Sequence, residues 1–381
     1  MLALPKVLLM GLRKSGKSSI QKVVFEGMQP HESVNLPTTV QPTKRTVHSN
    51  DFVTFDVWDF PGQNDPFDEK NSANRYDVNQ LLENCGVIVF VLDCRELVDD
   101  ARVRLLDTIC AAYRYNPDLC VEVFIHKVDA LSEDHQVDLL ASLQRRVEEE
   151  VKQQLENTTP PKLNFNLTSI YDHSVFQAFS LVVQRLIKVK LPFINELLQM
   201  LNSNSNVCLS YLFLSRSKIY IAVDERTRLK ARTYDLCSDA IEVVVRMSQI
   251  YASPRSASHN SKHDSNSPAP RRLAHGEIPH LHELDDNAVR VAKEMPSTNC
   301  SFAKTVHSDE DEEERIALLE RGARAVIQLN NDDIIYVREL PSSLTIVLMI
   351  KRKDMEYRAL IDRNVDEFYK AAYSIFTSTP A

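Results

Sequence analysis

Eight residues near the start of the chain constrain its fold more than any other feature. They run from Gly11 to Ser18 and match the pattern G-x-x-x-x-G-K-[ST] without exception. An apolar strand, predicted over Lys6 to Met10, precedes them, and a helical pattern over Lys17 to Phe25 follows. This order predicts a phosphate-binding loop, because the loop N–H groups and the N-terminus of the helix both face a bound anion.

The expected chemistry of this loop assigns roles to its side chains. Lys17 is expected to reach the β and γ phosphates of a nucleotide, and the hydroxyl of Ser18 is expected to bind Mg²⁺. The other candidates for phosphate contact are Gly11, Arg13, Lys14, Ser15, Gly16 and Ser19.

A second motif, Asp59-Phe60-Pro61-Gly62-Gln63, follows an alternating strand pattern over Phe52 to Trp58. Asp59 is placed to hold Mg²⁺ through water, and Gly62 to donate its N–H to a γ-phosphate. Gln63 is placed to orient an attacking water, which makes it the candidate catalytic residue. An Asp-x-x-Gly sequence alone is a common turn, but its distance after the phosphate-binding loop makes it informative.

Two further motifs predict how a base is recognised. His126-Lys127-Val128-Asp129 follows a strand at Val121 to Ile125 and is similar to the guanine motif Asn-Lys-x-Asp. The Asp129 carboxylate can accept from both guanine N1–H and the 2-amino group, a donor pair that adenine lacks. His126 replaces the usual Asn, so a surface turn remains the alternative. Ser169 and Ile170 follow the next strand, where the corresponding loop of small GTPases contacts the base.

A switch threonine that reaches Mg²⁺ must lie between the first helix and the Phe52 strand. Thr38, Thr39 and Thr43 all qualify on position, and the residue pattern does not choose among them.

The two halves of the chain have different patterns. Strands alternate with helices over 1–190, which predicts an α/β domain with a mostly parallel sheet covered on both faces. Residues 192–381 predict helix, two strands, helix, three strands and helix, an α+β domain. Its first helix is predicted over Phe193 to Leu201, before a polar turn over Asn202 to Asn206. An insertion at about 253–321 is rich in Ser, Pro, Asn, His and charge, which predicts disorder, and Ser308 within it suits an acidophilic kinase.

The middle helix of the second half, predicted over Tyr234 to Tyr251, is apolar around much of its circumference. A buried stripe and a second packing partner are therefore expected. The predicted stripe consists of Leu236, Ala240, Val243, Val244 and Met247, with further apolar surface from Ile241, Val245 and Ile250.

Charge and hydropathy exclude some classes of function. The formal net charge of −8 disfavours general nucleic-acid binding, which depends on cationic surface. No apolar run approaches the ~20 residues that span a bilayer, and the first residues have no signal-peptide pattern. A membrane location is therefore expected only through a partner, without direct insertion.

Taken together, these segments resemble the Rag GTPase family, specifically its C/D-type subunit. The resemblance rests on Met10 to Phe25, Trp58 to Gln63, Phe124 to Asp129 and Leu167 to Ser174, and it continues through Ser217 to Ala222. It implies a Ras-like G domain followed by a roadblock- or longin-like dimerisation domain, and it selects Thr39 as the switch threonine. His in place of Asn is usual in this family. Two segments depart from it in length, 64–85 and the insertion 253–321.

The resemblance also implies a biological role. Such proteins form heterodimers of one A/B-type and one C/D-type subunit and relay amino-acid sufficiency to TOR complex 1. They dock through a roadblock-type scaffold at the lysosomal or vacuolar surface, and they also occur in the cytoplasm and nucleus. A folliculin-type protein activates GTP hydrolysis by the C/D-type subunit. The alternatives are a nucleotide-binding scaffold with little or no hydrolysis, and a P-loop ATPase or kinase.

Overall fold

The computed structural model describes residues 4–48, 53–62, 78–96, 99–155, 160–215, 217–225, 233–251 and 322–377. The predictions for Gln63, for residues 64–77 of the lengthened segment and for the insertion 253–321 with Ser308 lie outside these residues.

The first sheet is six-stranded, in the order β2-β3-β1-β4-β5-β6. Its strands pair in parallel except β2 and β3, which are antiparallel. The strands are β1 Lys6–Met10, β2 Thr43–His48, β3 Thr54–Asp59, β4 Cys85–Asp93, β5 Cys120–His126 and β6 Lys162–Thr168.

Helices cover both faces of this sheet, as the alternating pattern predicts. One face packs against α1 and α5 through residues such as Ile20 and Phe179, and the other packs against α3 and α4 through residues such as Leu105 and Val147. The helices are α1 Lys17–Glu26, α2 Val78–Leu82, α3 Asp99–Tyr115, α4 Glu133–Gln154 and α5 Ser174–Leu186.

The second sheet is five-stranded and antiparallel, in the order β8-β7-β11-β10-β9. One face packs against α6 and α8, and the other packs against α7. The elements are α6 Leu191–Ser205, β7 Val207–Leu214, β8 Ile219–Glu225, α7 Thr233–Tyr251, β9 Arg324–Gln328, β10 Asp333–Leu340, β11 Leu344–Lys351 and α8 Arg358–Thr377. The predicted fold class, a P-loop α/β sheet followed by an α+β unit, is confirmed.

Strand β2 has no counterpart in the sequence prediction. Its residues are mostly polar and lack apolar alternation, because the strand lies at the sheet edge and, among the described strands, pairs only with β3. Two polar contacts with the neighbouring strand hold it: Thr46 Oγ1 donates to Asp56 over 2.7 Å, and Lys44 Nζ lies 2.9 Å from the same carboxylate.

The polar turn predicted over Asn202 to Asn206 was wrong, since α6 continues to Ser205 and ends at Asn206 with φ 51°. Asn202 is fully buried inside the helix, where its amide nitrogen donates to Asp224 Oδ2 over 2.7 Å. Because this amide nitrogen is bonded to the neighbouring strand, it does not compete for the backbone of its own helix, which is the usual reason for asparagine to terminate a helix.

The predicted stripe of α7 was wrong in part. Tyr234, Cys237, Ala240, Ile241 and Val244 form the buried face, together with neighbouring apolar residues of the sheet. By contrast, Leu236 is 45% exposed and Val243 is 48% exposed. These two residues are seven positions apart, so they lie on one outward face of the helix.

The two sheets touch through α5, which packs against the edge strand β8. Tyr220 N donates to Ser180 Oγ over 3.0 Å in a buried contact. The proposed division at about 190 falls between the end of α5 and the start of α6, and it stays a prediction as a limit of independent folding. No helix among the described residues is both long and apolar enough to cross a membrane.

Candidate functional site

A cleft of about 500 Å³ opens where several strands of the first sheet end, within the size range of small-molecule sites. Open α/β sheets place their ligands at this carboxyl edge. Most of the predicted site residues line the cleft: Arg13, Lys14, Gly16, Lys17, Ser18, Ser19, Thr39, Gly62, His126, Lys127, Asp129 and Ile170. Gly11, Ser15, Asp59 and Ser169 lie directly behind these residues and hydrogen-bond to them.

The Lys17 ammonium lies at the centre of the phosphate end. Its Nζ donates to Gly11 O over 2.9 Å and to Leu12 O over 2.7 Å, with Ser15 Oγ at 3.5 Å. Burial lowers the pKa of Lys17 to about 8, against the opposing effect of the Asp59 carboxylate. A buried cation inside a loop of backbone amides is suited to binding an anionic ligand.

Glycine is required at position 16, where the phosphate-binding loop contacts His126 of the base motif. It has φ 106°, and a Cβ atom there would lie 2.6 Å from Cδ2 of His126. The His126 ring is 1% exposed, and its Nδ1 lies 3.1 Å from Thr168 Oγ1. Burial lowers the pKa of His126 to about 4, so the ring is neutral at pH 7. The histidine thus packs the base loop against the phosphate loop.

Three oxygen-bearing side chains converge beside Lys17. Ser18 Oγ donates to Asp59 Oδ2 over 2.5 Å and lies 2.8 Å from Thr39 Oγ1, which is 3.4 Å from Asp59 Oδ2. Among the three switch candidates, Thr39 is the one that contacts both Ser18 and Asp59. Thr38 instead accepts from Arg13, over 3.3 Å.

This cluster fits a hard divalent cation. Two hydroxyls and a carboxylate are the oxygen ligands that Mg²⁺ takes, with water and phosphate oxygens completing the octahedron. Asp59 is 1% exposed, and burial raises the pKa of its carboxyl. Among the residues that the structure describes, its Oδ1 has no hydrogen-bond partner. A cation held through water, as predicted for Asp59, would satisfy the unpaired oxygen and offset the burial of its charge.

Gly62 sits against the phosphate loop. A Cβ atom at this position would lie 2.1 Å from Arg13 N, so only glycine allows the approach. The Gly62 carbonyl accepts from Arg104 Nη1 of α3 over 2.7 Å. The motif glycine is therefore held from both sides, and the position of Gln63 lies outside the described residues.

At the base end, Asp129 is exposed to the cleft. Its Oδ1 accepts from Ser169 Oγ over 2.6 Å, and Ser169 Oγ accepts from Tyr171 N over 3.1 Å. Ser169 is fully buried. The serine therefore orients the carboxylate toward any ligand in the cleft, while Ile170 and Tyr171 form part of the wall.

Several cleft residues were not anticipated from the sequence. The segment Ser33 to Pro37 lines the cleft, as does Arg95 directly after β4. Arg95 forms an ion pair with Asp93, which also contacts Lys127. The sequence contains a pattern that could have indicated this pair, since Asp93-Cys94-Arg95 places two charged residues at the end of a buried strand that lies beside β5 and its base motif.

Comparisons with known proteins agree with this geometry. A family model described as the Gtr1/RagA G protein conserved region matches residues 6–241. Ras-related GTP-binding protein C of Homo sapiens is 35% identical over 373 residues, which cover 98% of this chain and 77% of the relative. GTP-binding protein gtr2 of Schizosaccharomyces pombe is also 35% identical, over 98% of both chains. GTP-binding protein GTR1 of Saccharomyces cerevisiae is 27% identical over only 48% of this chain and 57% of its own length.

Proposed function

The chain belongs to the Gtr1/RagA family of G proteins, and from that membership we propose that it is a C/D-type regulatory GTPase. It binds GTP and GDP together with Mg²⁺ and hydrolyses GTP. The observation that carries the proposal is one cleft with two specialised ends. Ser18, Thr39 and Asp59 converge beside Lys17 at one end, and Asp129 is held by Ser169 at the other.

The side chains divide the work of this reaction. Lys17 and the backbone of the phosphate loop bind the β and γ phosphates, while Asp129 selects guanine over adenine. Ser18, Thr39 and Asp59 would hold Mg²⁺, which neutralises charge that develops on the phosphate oxygens. Gly62 is held against the loop for contact with the γ-phosphate, and Gln63 is proposed to orient the attacking water.

Competition binding tests the nucleotide assignment. Unlabelled GTP should displace labelled GTP from the purified chain, while ATP in the same excess should not. Equal displacement by ATP would favour a P-loop ATPase or kinase.

The Gln63→Leu variant should slow single-turnover hydrolysis, most visibly with an activating protein. If the wild-type chain binds GTP but does not hydrolyse it, even with an activating protein present, the nucleotide-binding scaffold would be favoured.

The proposal also includes a heterodimer with an A/B-type subunit. Two surfaces of the second sheet support it. In the described part of the chain, β9 pairs only with β10, so its outer edge is open to another strand. The helix α7 packs across β9, β10 and β11 and exposes Leu236 and Val243. An open edge beside exposed apolar side chains suits a partner of the same fold.

The cellular role follows from family membership alone. The heterodimer is proposed to relay amino-acid sufficiency to TOR complex 1, docked through a roadblock-type scaffold at the lysosomal or vacuolar surface. A folliculin-type protein is proposed as its GTPase activator. Imaging and co-precipitation with and without amino acids test this role. Loss of the membrane-associated fraction on depletion of the scaffold is expected, and its retention would contradict scaffold-mediated docking.

A further inference from the structure

A buried carboxylate lies between the phosphate loop and the base loop and has no role in the motifs. Asp93 is the last residue of β4, where it pairs in register with His126 of β5. The residue is 6% exposed. Both of its carboxylate oxygens are occupied by donors from two cationic side chains. A buried charge is tolerated at such a position only when it is paired and hydrogen-bonded.

The first partner of Asp93 is Lys127. Its Nζ donates to Asp93 Oδ2 over 2.6 Å and to the backbone oxygen of Lys14 over 2.6 Å. One ammonium group therefore joins the end of β4 to the phosphate loop. The backbone of Lys127 is left-handed, with φ 64°, which turns the chain directly before Asp129. The stem of Lys127 is thus fixed at both of its ends.

The second partner is Arg95, which binds the same carboxylate in a bidentate arrangement. Arg95 Nε lies 3.2 Å from Asp93 Oδ1, and Nη2 lies 3.2 Å from Oδ2. The backbone N–H of Arg95 also donates to Oδ1, over 3.0 Å. The Arg95 side chain remains 55% exposed and lines the cleft. A bidentate pair fixes the plane of a guanidinium group as well as its position.

We infer that Asp93 and Arg95 are further parts of the guanine-nucleotide site, a step that rests on the proposed function. Asp93 is a positioning residue that holds Lys127 against the phosphate loop. Arg95 is a nucleotide-contacting residue that lines the cleft as a cation beside Lys127. Together they slow the release of GDP and GTP alike, because Asp93, Arg95 and Lys127 belong to the base side of the site and not to the γ-phosphate side.

The test measures release of a fluorescent GDP and a fluorescent GTP analogue from the full-length chain. The variants are Asp93→Asn, Arg95→Ala, Lys127→Ala and the double variant Asp93→Asn/Lys127→Ala. The matched control is Arg102→Ala, since Arg102 of α3 forms ion pairs with Asp99 of the same helix and Glu150 of α4 and does not line the cleft. Release from the wild-type chain is measured first.

Loss of a charged hydrogen bond predicts roughly tenfold faster release for Asp93→Asn and roughly threefold for Arg95→Ala, with similar factors for both nucleotides. Arg102→Ala should match wild type. Once Lys127 is replaced, Asp93→Asn should add no more than the roughly threefold effect of Arg95→Ala, because its larger effect through Lys127 is already lost. A merely structural role for Asp93 predicts instead that the two effects multiply.

Each part of the inference can fail separately. Wild-type release rates for Asp93→Asn, or effects that multiply in the double variant, would overturn the positioning role. Unchanged release from Arg95→Ala would overturn the contact role, and this exposed side chain can be removed even if Asp93→Asn does not fold. If the wild-type chain itself retains no guanine nucleotide, the proposed function fails first, and the two failures are thus distinguished.

Discussion

At the scale of single residues, the phosphate end of the cleft depends on side chains that come from three separate segments. Ser18 is the second residue of α1, Thr39 lies before β2, and Asp59 ends β3. Each supplies an oxygen to the same small volume, and one oxygen of Asp59 has no hydrogen-bond partner in the described part of the chain. The arrangement is suited to a metal ion that bridges protein and phosphate oxygens.

The Ser18→Asn variant should lose more affinity for GTP than for GDP. Ser18 would help to hold Mg²⁺, which would offset the charge of bound phosphates, and GTP carries more of that charge than GDP does. Filter binding with each nucleotide measures the difference. A chelator serves as the control, since wild type and variant should converge without Mg²⁺. Equal losses for both nucleotides would contradict the metal assignment.

The buried His126 should make the chain sensitive to acid. Its folded pKa is about 4, below the ordinary value near 6.5, because burial disfavours the charged ring. Between these values the unfolded chain binds the extra proton, so stability falls as pH drops from about 6.5 to about 4. The loss from this group alone is about 2 kcal/mol at pH 5.

Replacing His126 with Asn, the usual residue of the guanine motif, removes this contribution. Chemical denaturation at pH 7 and pH 5 should show a smaller difference for His126→Asn than for wild type. Identical pH dependence in the two proteins would mean that His126 is not the buried neutral group described here.

At the scale of helices, strands and loops, what the sequence could predict depended on how local the signal was. The strand-loop-helix around Gly11 to Ser18, the turn at Asp59 to Gly62 and the base loop at Asp129 each follow from contiguous residues. Most strand positions followed too, because buried parallel strands are apolar runs.

Other features required tertiary information. The polar edge strand β2 is held by contacts with Asp56, which its own pattern does not reveal. The roles of Arg104 and Arg95 depend on residues far away along the chain. The residue pattern alone did not distinguish Thr39 from Thr38 and Thr43, and the choice rested on the family resemblance. In the structure, the distance from Thr39 Oγ1 to Ser18 Oγ distinguishes it.

The outward face of α7 gives a prediction at this scale. Replacing Val243 with Asp should weaken the proposed heterodimer at least roughly tenfold, because a charge buried in an apolar interface is costly. Val103→Asp is the matched control, since Val103 is also 48% exposed but belongs to α3, which packs against the first sheet. Sizing of co-expressed pairs gives the readout, and equal behaviour of the two variants would contradict an interface at α7.

At the scale of the whole molecule, the two sheets share one layer of helix. Helix α5 covers an apolar face of the first sheet and also packs against the edge strand β8 of the second. The pairing of β7 with β8 is irregular near Leu212 and Phe213, and the amide of Tyr220 donates to Ser180 Oγ of α5. Helix α5 thus covers one edge of the second sheet at β8, while β9 forms the other edge.

The Ser180→Ala variant should destabilise the chain by about 1–3 kcal/mol, because it leaves the buried Tyr220 amide without a partner. Ser142→Ala is the control, since Ser142 is an exposed serine that donates to its own helix. Denaturant unfolding of both variants checks the prediction. Equal stabilities would mean that the contact between α5 and β8 contributes little.

In this cleft, Asp129 is the residue expected to select a guanine nucleotide. Xanthine carries an oxygen where guanine has its 2-amino group. A side-chain amide in place of the Asp129 carboxylate can donate a hydrogen bond to that oxygen. Competition between GTP and xanthosine triphosphate on the Asp129→Asn variant measures this preference most directly. We predict a shift of preference toward xanthosine triphosphate relative to the wild-type chain. Full retention of GTP selectivity by the variant would mean that Asp129 does not select the base.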